Sequence, residues 1–88
     1  MSRIIFSAHA LERLAQRGAT EAEARAAISE GERLPAGRDR TAFRKNFPFQ
    51  AHWKGRYYEV KQVMPIVVEE EDTVTVVTVH VFYFGGSA

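Results

Sequence analysis

The chain has 88 residues, 45% hydrophobic and 26% charged, with a formal net charge of +1, which fits one small domain near the lower limit of what a single core stabilises unaided. It contains no cysteine, so a disulfide framework and a thiolate zinc site are excluded. No apolar run approaches the ~20 residues that a membrane span needs. We read residues 1–88 as a single domain of a reducing, cytoplasmic compartment, with no membrane association and no cofactor.

In chain order, Met1–Phe6 is too short for a signal peptide and leads into a helix cap. Ser7 is a natural N-cap, and Gly18 is placed to end the first helix in the left-handed region, which predicts a helix over Ala8–Arg17. His9, Arg13 and Arg17 recur every four residues and so form one ridge on that helix. Ala8, Leu11, Leu14 and Ala15 are expected on roughly the opposite, buried side. Thr20 and Glu23 read as a capping box that opens a second helix over Glu21–Glu30, with Ala24, Ala27 and Ile28 as its apolar stripe and Gly31 as its end.

Glu32 to Arg40, with Pro35, Gly37 and no period, reads as an exposed loop. Strand patterns follow. Ala42 to Trp53 is Phe-rich and interrupted by Pro48, which suits an edge strand. A tight turn over Trp53–Arg56 leads into Tyr57–Val68, where Pro65 requires a break or bulge. A charged turn at Glu69–Asp72 precedes Thr73–Phe84, the clearest strand. Strict alternation puts Thr75, Val77, Val79, Val81 and Tyr83 on the face toward the helices, with Thr78 and His80 at the centre of the other. The expected architecture is α+β, with two N-terminal helices packed on a three- to four-stranded antiparallel meander.

The candidate chemistry starts from the ridge. An imidazole beside two guanidinium groups can accept a proton while the cations hold an anion. That combination suits metal-independent cleavage of an RNA phosphodiester, with His9 as base and Arg13 and Arg17 on the scissile phosphate. A hairpin through Glu71 would bring Lys61 near Thr78 and His80, a second polar cluster able to complete such a site. Seven basic residues against two acidic ones between Arg38 and Lys61 make a basic middle. Within and beside it, Arg44, Lys45, Tyr57 and Tyr83 are candidates for contacting phosphates and stacking on bases. The three histidines lack metal-ligand spacing, and the Glu69–Asp72 run lacks a calcium-loop pattern.

The opening His9-Ala10-x-x-Arg13-x-x-x-Arg17-Gly18, followed by Thr20-x-x-Glu23 and a closing strand with Val76-Val77-Thr78-Val79, resembles a bacterial family of small domains. These begin with a short strand and carry an S-x-H-A-x-x-R-x-x-x-R-G helix. That family resembles, more remotely, the RelE, ParE and BrnT types of ribonuclease toxin. The resemblance implies a RelE-like fold, a toxin–antitoxin-like context, an RNA substrate and an antitoxin-like protein partner. It carries over to His9, Arg13, Arg17 and Thr78; Lys61 and His80 are added from spacing alone. The leading expectation is an RNA-interacting domain acting as a metal-independent endoribonuclease. The alternative is a non-catalytic module that binds a protein partner or nucleic acid through its basic face.

Overall fold

The computed structural model describes residues 3–86. The elements in chain order are β1 (Arg3–Phe6), α1 (Ala8–Arg17), α2 (Glu21–Glu30), β2 (Glu32–Pro35), β3 (Thr41–Trp53), β4 (Arg56–Glu69) and β5 (Thr73–Phe84). The strands form one sheet in the order β1-β5-β4-β3-β2. β1 runs parallel to β5, and the other pairs are antiparallel. The fold is α+β as expected, but the sheet has five strands and is mixed, where an antiparallel meander of three or four was expected.

Both helices begin and end where their caps dictate. The Ser7 hydroxyl accepts from the Ala10 N–H at 3.0 Å, and Thr20 and Glu23 exchange bonds of 3.1 and 3.0 Å. Gly18 closes α1 at φ 74°. A β-carbon there would stand 2.7 Å from both the Trp53 ring and the Tyr83 hydroxyl, so glycine is required by conformation and by space alike.

Both helices pack on one face of the sheet, α1 against β5 and α2 against β3 and β4. Ala10, Leu14, Ala24 and Ala27 are buried there with Phe43, Val63, Val67, Val76 and Val79. Small helix side chains allow this close approach, so the core is built mostly from sheet valines. Leu11, expected inside, is 43% exposed. The buried stripe of α1 is Ala10 and Leu14, which at 100° per residue lies beside Arg13 and Arg17 rather than opposite them. The ridge therefore flanks the sheet.

Three further departures have local causes. Glu32–Pro35, read as loop, pairs with Thr41–Arg44; so short and charged a strand has no detectable period of its own. β3 is consequently an edge only beyond Arg44, and Pro48 stands in that part, in register with Val60 of β4 and with no strand on its other side, the setting in which a strand tolerates proline. Finally, the β4–β5 register slips between Ile66↔Thr78 and Val67↔Val76, leaving Val77 as an extra residue. This bulge, beside Pro65, exchanges the two faces of β5. Val74 and Val76 point to the helices before it, and Val79, Val81 and Tyr83 after it. Neither of the two sets expected from strict alternation is wholly inside.

Candidate functional site

β1 ends opposite Val76, so the remainder of β5 is an unpaired sheet edge, and α1 lies along it. Three bonds fix that position. The Ser7 N–H donates to the Val76 carbonyl at 3.0 Å, the Ser7 hydroxyl to Val77 at 3.3 Å, and Arg17 Nη1 to Val79 at 2.7 Å. The N-cap Ser7 and the Arg17 side chain thus satisfy carbonyls that an open edge leaves to water.

The same placement joins the helix ridge to the strand. His9 Nε2 lies 3.2 Å from Thr78 Oγ1, and Arg17 Nη1 lies 3.4 Å from His80 Nδ1. Because Thr78 and His80 lie on the sheet face without helices, the ridge reaches them around the β5 edge. His9 is exposed, and Arg13 and Arg17 are half-buried. Arg13 donates to Gln16 Oε1 at 2.6 Å. Among the described residues neither arginine pairs with a carboxylate, which leaves most of their fixed donors for an anion.

Arg17 also sets the state of His80. A guanidinium only donates, so Nδ1 facing it must accept, and the proton of the neutral ring is assigned to Nε2. Partial burial first, and the Arg17 charge second, push the His80 pKa below the ordinary histidine value. His80 is therefore a neutral ring that offers an Nε2–H donor.

Lys61 does not join this cluster. In register Lys61 faces Tyr83, on the helix side of the sheet, whereas His80 pairs with Met64 on the other side. Lys61 is 7% exposed and donates to the Gly18 carbonyl at 2.9 Å. It also pairs with Glu23 at 2.9 Å and sits over the Phe49 ring. Tyr83 donates to the Arg17 carbonyl at 2.6 Å and stacks on Trp53 with 5.2 Å between centroids. Burial, and then the Glu23 charge, push its phenol pKa up. Lys61 and Tyr83 thus cap the last carbonyls of α1, a structural task the spacing did not reveal.

Three of the seven cations of the basic middle, Arg44, Lys45 and Lys61, are ion-paired. Arg44 pairs with Glu32 at 2.7 Å and Lys45 with Glu30 at 3.4 Å, and the two lie on opposite sides of β3. Tyr57 packs edge-on against His52, 5.6 Å between centroids. These residues do not form one cationic surface with the ridge. Among the described residues, no group of three or more His, Asp or Glu is gathered to hold a metal, and no helix is long and apolar enough to cross a membrane.

The structure thus brings together His9, Arg17, Thr78 and His80, with Arg13 between His9 and Arg17 on the ridge. It places Lys61, Arg44, Lys45 and Tyr57 apart from them, and Tyr83 meets Arg17 only at its backbone carbonyl. The anchoring of Arg17 on the Val79 carbonyl has no signal in the sequence, since any residue supplies that acceptor. No family model, curated protein or solved structure matches the chain significantly.

Proposed function

We propose that this domain binds RNA and cleaves it without a metal at the edge of β5, where α1 presents His9, Arg13 and Arg17. The observation that carries the reading is the pair of contacts His9–Thr78 and Arg17–His80. They gather two imidazoles, a hydroxyl and carboxylate-free guanidinium groups along one accessible seam. In this reading His9 takes the proton from a ribose 2′-hydroxyl as that oxygen attacks the adjacent phosphorus. Arg13 and the free donors of Arg17 hold the equatorial oxygens as charge builds on them. His80 stays neutral and donates Nε2–H to the same phosphate, and Thr78 orients the His9 ring. The bond from phosphorus to the 5′ oxygen breaks, that oxygen takes a proton from solvent, and the products are a 2′,3′-cyclic phosphate and a 5′-hydroxyl.

The test is cleavage of a single-stranded RNA in the presence of EDTA, beside the same sequence with 2′-deoxyribose throughout. Cleavage of the RNA alone, with cyclic phosphate ends, is expected. Equal cleavage of both, or loss of RNA cleavage in EDTA, refutes the reading.

A further inference from the structure

The sheet face opposite the helices is covered by no element among the described residues. Register partners share a face, which places Met64 beside His80, Ile66 beside Thr78, Phe82 beside Gln62, Phe84 beside Val60, Ile5 beside Thr75 and Leu34 beside Ala42. Ile5, Phe82 and Phe84 are 38%, 46% and 42% exposed, and Met64, Ile66 and Leu34 are half-buried. A sheet normally buries one apolar face and wets the other. Here one face carries the core and the second is apolar as well.

Four polar side chains on this face are paired with one another. Arg44 holds Glu32 at 2.7 Å, and the Gln62 amide donates to Asn46 Oδ1 at 2.9 Å. These paired side chains lose less on meeting an apolar surface, and Arg3, the charge on this face outside such a pair among the described residues, stands at the outer end of β1, away from the Met64–Ile66 centre. With three long strands of about twelve residues and two short flanks, it spans ~700 Å² at ordinary strand spacing and rise. Two such faces together bury ~1,400 Å², within the range of stable specific interfaces.

We infer that this face is the interface of a homodimer, packed sheet to sheet against a second copy of the chain. A two-fold apposition sets the Met64–Ile66 centre against its own counterpart and needs no other patch. The β5 edge lies at the margin of the covered face, so each dimer holds two ridge sites at its rim. The inference does not depend on RNA cleavage.

The experiment is sedimentation equilibrium of the full chain over a concentration series. Twice the monomer mass of 10.0 kDa is expected, with reversible dissociation on dilution. Met64→Glu, at the centre of the face, should weaken association by at least about tenfold, and Leu11→Glu, on the exposed side of α1, should leave it unchanged. Circular dichroism checks that each variant is folded. Should Met64→Glu unfold, Phe84→Asp at the strand end serves instead, with a measurable rise in the dissociation constant expected. Monomer mass at every concentration overturns the inference. So does a dimer indifferent to the face variants, or a monomer that loses RNA binding when Phe82 and Phe84 become alanine.

Discussion

Replacing Lys61 with methionine separates a structural lysine from a catalytic one. The substitution keeps an unbranched apolar stem but removes the charge from a site that is 7% exposed. It deletes the 2.9 Å bond to the Gly18 carbonyl and the 2.9 Å pair with Glu23. A lost bond to a charged group costs about 1.5–3 kcal/mol, and breaking a fully buried pair about 3–5 kcal/mol. Glu23 keeps 22% of its side-chain surface and its bond to the Thr20 N–H, so it can rehydrate, and the two costs overlap. A destabilisation of about 2–3 kcal/mol follows from the lower ends of those ranges. Urea unfolding followed by circular dichroism reads this directly. With a slope near 1 kcal/mol/M, typical of the smallest domains, the midpoint should fall by about 2–3 M. RNA cleavage per folded molecule should stay at the wild-type level. A midpoint within about 0.5 M of wild type, or full stability with cleavage abolished, would refute the structural assignment and return Lys61 to the active site.

Gly18→Ala should lower stability by about 2 kcal/mol or more in the same urea assay, since left-handed strain adds to overpacking against Trp53 and Tyr83. His80, whose pKa is depressed in the folded state, contributes full stability above the ordinary histidine range. That contribution is lost as pH falls through this range toward the folded value, because the unfolded chain takes up the proton first. Unfolding at pH 7.5 and 5 should show the loss, and His80→Phe should reduce the difference. Because Arg44 and Lys45 are ion-paired, replacing both with alanine should leave RNA affinity within about twofold, whereas Arg13→Ala should weaken it and flatten the salt slope. Filter binding at several salt concentrations distinguishes the two.

The helices were legible because their determinants are local. Ser7, Gly18 and the Thr20–Glu23 box fix both ends within a few residues of chain. The hairpins were legible for the same reason, with Lys54 and Gly55 at positive φ in the first turn and Glu69–Asp72 in the second. What alternation could not reveal was the extra residue at Val77, because a bulge is defined by the partner strand. That one residue puts Val74 and Val76 on the helix side and Thr75 on the other, whereas Thr78 and His80 lie on the face away from the helices, where alternation places them. The pairing of β1 with β5 spans nearly the whole chain and leaves no periodic trace in six residues. Similarly, Arg44, Lys45 and Lys61 of the basic middle looked free in sequence because their partners Glu32, Glu30 and Glu23 come earlier in the chain.

The most direct test of the central claim compares wild type and His9→Ala on one single-stranded RNA, in EDTA, at equal concentrations of folded protein. His9 is exposed, and among the described residues its side chain hydrogen-bonds Thr78 alone, so the variant should keep its urea midpoint. Its cleavage rate should fall by about 10²–10⁴, the usual contribution of a positioned base. A variant that cleaves at the wild-type rate would contradict the assignment of chemistry to the ridge.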